Sequence, residues 1–132
     1  MRIEDEIRSM RKRDDDLSKL KLDVIRVLAI FNGVSWMTEI IPDILKLRGG
    51  IPDYALREEL LDEAIRDLES DEVILVEPRS RGMPFSREVH EDKLIRLRDL
   101  SAARKALAGE MVYLSYLRGQ MEAIRRALES RE

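Results

Sequence analysis

The chain has no cysteine, one histidine, one tryptophan, two phenylalanines and three tyrosines. Without cysteine there are no disulfides, zinc-finger ligation or thiol chemistry, so stability has to come from packing and association. The only histidine, His90, falls at the end of an expected strand, where a surface or helix-capping role fits better than catalysis. No run of about 18 apolar residues exists, and the first ten residues, MRIEDEIRSM, lack an apolar region of signal-peptide type. A soluble, cytoplasmic protein with no membrane association is therefore expected. No Ser, His and Asp arrangement, Walker-type loop or dinucleotide fingerprint occurs, and Gly49-Gly50 reads as a helix stop rather than a phosphate loop. Neither enzymatic activity nor a catalytic residue, metal or cofactor is expected.

What is present is charge. Of the 132 residues, 39% are charged, against roughly 25% in ordinary soluble domains, while 44% are apolar and can build one small core with an appended helix. Arginine makes up 18 of the 24 basic residues, a composition that suits a heat-adapted or high-GC source. The net charge of −3 conceals an uneven distribution. Residues 53–72 hold nine acidic and two basic groups, so the centre of the chain is strongly acidic.

Three regions are expected: a charged helical extension over 1–16, a domain over 17–90 and a C-terminal helix over 91–132. In the first, Ile3, Ile7 and Met10 make a narrow apolar stripe, open to reading as a solvated lead-in or as a helix docked on the C-terminal one. A helix over Asp16–Phe31 follows, capped by Asp16 or Ser18 and stopped by Asn32-Gly33. A second helix spans about Ser35–Arg48. Pro42 either kinks it or opens its main part after a separate turn at Trp36–Ile41. A third starts at Pro52 or Asp53, where Ala55, Leu56, Leu60, Leu61, Ala64, Ile65 and Leu68 recur at helical spacing. Val73–Val76 and Phe85–His90 then read as two strands around a Pro- and Gly-containing turn. The carboxylates Glu58, Asp62 and Asp67 of the third helix read as a solvated face rather than as a metal or acid-base pair.

Within 91–132, Leu100, Leu107, Leu114, Met121 and Leu128 recur every seven residues, and Ala103, Leu117 and Ile124 fall three residues after members of that series. One helix of this length, at ~1.5 Å per residue, would reach on the order of 60 Å, too long for a small domain to cover. A homodimeric coiled coil through Leu100, Leu107, Leu114, Leu117, Met121, Ile124 and Leu128 is the expectation. Gly109, Glu110 and Gly119 leave open a break that folds the segment back.

The stretch Leu68–Val89 (LESDEVILVEPRSRGMPFSREV), with the helices before it, resembles the winged helix-turn-helix: a Leu-Glu pair, an acidic turn at Asp71 and an apolar strand at Val73, Ile74 and Val76. Glu72 stands where a glycine is usual. The resemblance runs from Leu17 to Val89 and implies a mainly α fold with a small β-hairpin wing. The long C-terminal helix is similar in layout to small archaeal DNA-binding proteins and to regulators of phenolic-acid and multidrug-response type. It implies a homodimeric, DNA-binding transcriptional regulator, with the third helix in the major groove of double-stranded DNA. Arg79, Arg81 and Arg87 of the wing, Arg57 and Tyr54 near the third helix, and Lys46 and Arg48 at the end of the second are the candidate contacts. The acidity of the third helix opposes that use, because duplex DNA carries one charge per ~1.7 Å. A protein-interaction module whose acidic helix meets a basic protein partner is the alternative, with Trp36, Met37, Met83 and Phe85 as candidate apolar anchors.

Overall fold

A computed structural model describes residues 2–82 and 89–130. At its centre lies α2 (Asp16–Ile30), in which every residue from Leu22 to Ala29 is buried. Its cap is Asp15 rather than the expected Asp16 or Ser18: the Asp15 carboxylate accepts the Ser18 N–H at 3.0 Å and the Ser18 hydroxyl at 2.8 Å. At the other end Asn32 (φ 60°) and Gly33 (φ 87°) take a left-handed turn, which asparagine tolerates and glycine adopts freely for want of a Cβ, and the Gly33 N–H reaches the Leu28 carbonyl at 2.6 Å.

The N-terminal stripe is docked. In α1 (Ile3–Lys12), acidic residues occupy the first turn and Arg11 and Lys12 the last, which suits the helix dipole, and Ile3, Ile7 and Met10 are buried against α2 and α5. After the Asn32-Gly33 turn, Val34–Trp36 forms β1 instead of the start of a helix, because β3 offers it a ladder: Val34 pairs with Arg96 and Trp36 with Leu94. The helix α3 (Met37–Leu47) then runs unbroken through Pro42, so no separate turn precedes the proline.

The third expected helix starts later than its sequence pattern suggests. Residues 51–57 are irregular, held by the buried Tyr54, and α4 (Glu58–Ser70) begins only after Arg57. Glu72 itself adopts φ 60° in the turn that follows, and the Val73 N–H bonds the Leu68 carbonyl at 2.9 Å. The chain thus winds as a glycine would, with a side chain in place. Strands β2 (Ile74–Gly82) and β3 (Val89–Leu97) pair antiparallel from Ile74 opposite Leu97 to Gly82 opposite Val89. With β1 they form a three-stranded sheet in the order β1-β3-β2, one strand more than the expected hairpin. Residues 83–88, which include Met83, Phe85 and Arg87, lie outside the described residues.

The C-terminal stretch is neither one helix nor entirely helical. Residues 91–97 belong to β3, where Ile95 and Leu97 point into the core, so the expected division at 90 cuts through a strand. Asp99 then caps α5 (Leu100–Leu107), accepting the Ala102 N–H at 3.0 Å. Arg104 on α5 donates to the Ala29 carbonyl at 3.1 Å and to Asn32 Oδ1 at 2.9 Å, which satisfies the end of α2. A break at Ala108–Glu110 precedes α6 (Met111–Glu129). Tyr113 anchors its first turn in the core, whereas every residue from Met121 to Ser130 is exposed. No helix among the described residues is long and apolar enough to cross a membrane.

Candidate interaction surface

The apolar spacing of α4 turns Leu61, Ala64, Ile65 and Leu68 inward, which leaves the carboxylates outward. Glu58, Glu59, Asp62, Glu63 and Glu69 are all exposed, and Arg66 is the single cation on the helix. Asp67, on the flank, is held by Lys21 at 3.0 Å. Among the described residues the other five make no ion pair, so their carboxylates stay open to solvent and to a partner.

Beside this face runs a groove bounded by α3, α4 and the hairpin. One section, a depression of about 380 Å³, is lined by Met37, Ile41 and Leu61 together with the exposed Glu58 and Asp62. Past Met37 it continues between α4 and the sheet over Ile65 and Val76, with Glu69 and Lys93 at the edges, and then along the hairpin beside Pro78 and Glu91. Met37 and Asp62 border all three sections.

Arg79 and Arg81 of the hairpin are engaged within the chain. Arg79 donates to Glu77 at 2.9 Å and holds that carboxyl below the usual range. Arg81 bonds Glu39 at 2.6 Å, approaches Asp92 at 3.4 Å and lies 4.9 Å above the Trp36 ring. Burial alone would raise the Asp92 carboxyl. Hydrogen bonds from the Thr38 hydroxyl at 2.7 Å, the Lys93 N–H at 2.7 Å and Arg81 outweigh that effect and lower it. Trp36 is therefore half-buried under a cation rather than a free anchor.

Two residues expected at a DNA surface instead close the interior. Asp23, fully buried on α2, accepts hydrogen bonds from Arg26 at 2.6 Å, from Arg48 at 2.8 and 3.1 Å and from the Tyr54 hydroxyl at 2.7 Å. Burial pushes the Tyr54 phenol up, and the Asp23 charge adds to the effect, so the hydroxyl stays a donor. Arg26 also bonds Glu110 at the start of α6, and Arg11 of α1 reaches the same carboxylate at 3.0 Å. The network ties α1, α2, the end of α3, the 51–57 loop and the α5–α6 break together. The Tyr54 hydroxyl is buried and spent on Asp23, and Arg48 gives Nε and Nη2 to the same carboxylate, with only part of its guanidinium left at the surface. Arg57 and Lys46 are exposed, Lys46 beside a shallow depression between α3 and α6. Arg87 lies outside the described residues.

The heptad series is divided in the same way. Leu107 is fully buried in the core of its own chain, and Leu100 is half-buried with its side chain 3.6 Å from the position a Cβ would take on Gly33. Leu114 and Leu117 are partly covered. Only Met121, Ile124 and Leu128, each at least 60% exposed, form a free apolar stripe.

Comparison with protein-family models, curated proteins and solved structures finds no significant match. Sequence reasoning passed over Asp23, Thr38, Glu39 and Asp92. The signal for Asp23 was a lone carboxylate inside the apolar run LDVIRVLAI, with Arg26 one turn further on. The others meet only through long-range pairing and left no local trace.

Proposed function

We propose that the chain is a binding module of winged-helix type that docks a basic protein partner on the acidic face of α4. The observation that carries this reading is the row Glu58, Glu59, Asp62, Glu63 and Glu69, exposed and without ion pairs among the described residues, on the helix that a winged-helix DNA reader would insert into the groove. Carboxylates there repel phosphates and attract lysine and arginine. The element order from α2 to β3, with a three-stranded sheet behind α4, supports the winged-helix assignment. A second copy pairs with the first through Met121, Ile124 and Leu128, whose exposure on one helical face favours association.

Arg79, exposed on the hairpin, favours a second reading: a DNA-binding transcriptional regulator that meets duplex phosphates through its wing. Fluorescence anisotropy with a labelled random duplex and with a labelled arginine-rich peptide, each at several salt concentrations, separates the two. The expected result is peptide binding that weakens as salt rises, with no duplex binding at low salt. Duplex binding that falls steeply with salt and is lost in Arg79→Ala would establish the regulator instead.

A further inference from the structure

Electrostatics alone would let a basic partner approach anywhere along α4, yet the groove beside it is not purely acidic. Its floor is apolar, built from Met37, Ile41, Leu61, Ile65 and Val76, and Met37 lies half-buried where the sections of the groove meet. Methionine adapts its shape to an incoming side chain and is common at surfaces that bind apolar groups. The rim carries Glu58, Asp62, Glu69 and Glu91 against Lys93 and Arg66. Among the described residues no three carboxylates converge closely enough to hold a metal ion. The charges are strung along a channel, which suits an elongated cationic ligand rather than a point charge.

We infer that this groove seats a segment of a partner protein in which one aliphatic or aromatic residue is flanked by arginine or lysine. The anchor lies over Met37 between α3 and α4, beside Asp62, and the flanking cations meet Glu58 in one section of the groove and Glu69 and Glu91 in the others. The inference rests on the basic-partner reading above and adds to it a position and an anchor. Charge complementarity chooses a basic protein segment over DNA, whose phosphates the same rim would repel. The apolar floor chooses a segment with an anchor over a simple polycation. Burying a leucine-sized side chain on such a floor contributes about a tenfold gain in affinity.

The test uses the full chain and two labelled peptides, one arginine-rich with a central leucine and one identical but with glycine in that place. The leucine peptide is expected to bind about tenfold tighter. Met37→Gln should erase that difference while leaving the glycine peptide's affinity unchanged. Asp62→Lys, on the groove, should weaken both peptides several-fold more than Glu63→Lys, which makes the same charge change on the acidic face but outside the groove lining. Thermal melts confirm that these surface variants remain folded. Equal affinities for the two peptides, with equal effects of Asp62→Lys and Glu63→Lys, would overturn the groove while leaving the acidic-face reading in place. Binding of neither peptide would overturn both.

Discussion

Replacing Asp23 with alanine removes the acceptor on which four hydrogen bonds converge, and its cost can be worked out from the partners left behind. Arg26 keeps Glu110, so it remains paired. Arg48 retains 19% side-chain exposure and can turn part of its guanidinium to water, but the Tyr54 hydroxyl has no other acceptor among its described partners. Breaking a buried pair from one side costs about 3–5 kcal/mol, and the exposure of Arg48 places this case near ~3 kcal/mol. For a chain of 132 residues, an unfolding entropy of roughly 2.1 cal/mol/K per residue makes 1 kcal/mol worth about 4 °C, so the melting temperature should drop by about 11 °C. Tyr54→Phe loses one hydrogen bond to a charged acceptor, about 1.5–2 kcal/mol or roughly 6 °C. Because both substitutions remove the same bond, Asp23→Ala/Tyr54→Phe should be no less stable than Asp23→Ala alone. Circular-dichroism melts and urea titrations measure all three variants. A shift of under about 2 °C for Asp23→Ala, or strictly additive losses in the double variant, would refute the claim that this network holds the 51–57 loop and the start of α6 to α2.

Three further outcomes follow from other parts of the fold. Glu72→Gly should raise stability by ~0.5–1 kcal/mol, since a left-handed conformation strains a residue with a Cβ by more than glycine loses in entropy, and a melt 2–4 °C higher would record it. Asp15→Ala should cost about 1 kcal/mol at neutral pH. Hydrogen bonds from the Ser18 hydroxyl and N–H lower the Asp15 pKa in the folded chain, so this contribution is present above the ordinary aspartate value and is lost as pH falls through the lowered one; urea unfolding of both proteins should converge in acid. Replacing Met121, Ile124 and Leu128 together with serine should leave the melt of dilute protein nearly unchanged but abolish self-association in sedimentation equilibrium. A wild-type chain that is monomeric at micromolar concentration would remove the pairing reading.

Local signals placed most of the helices well. The stripe of Ile3, Ile7 and Met10, the turn at Asn32-Gly33 and the inward face of α4 each depend on residues within one or two helical turns, where spacing and backbone preference act directly. The acidity of α4 was likewise legible, since a helix that buries one apolar stripe must expose whatever lies opposite. Other features could not be read locally. Val34–Trp36 is a strand only because β3, some sixty residues later, lies alongside it, and Glu91–Leu97 extends the hairpin because its partner strand continues to Ile74. The heptad from Leu100 to Leu128 looks continuous in sequence, yet Leu107 fills the core beside α2 and the chain breaks where Glu110 meets Arg26 and Arg11.

By itself, then, the order of residues determined which faces are apolar, where helices can start and stop, and that the middle of the chain is negative. Tertiary structure decided which donors are already engaged: Arg48 and the Tyr54 hydroxyl by Asp23, and Arg81 by Glu39, Asp92 and the Trp36 ring. The reason is that periodicity is a property of neighbours along the chain, whereas the pairing of a charge depends on which distant carboxylate folding brings within about 3 Å of it.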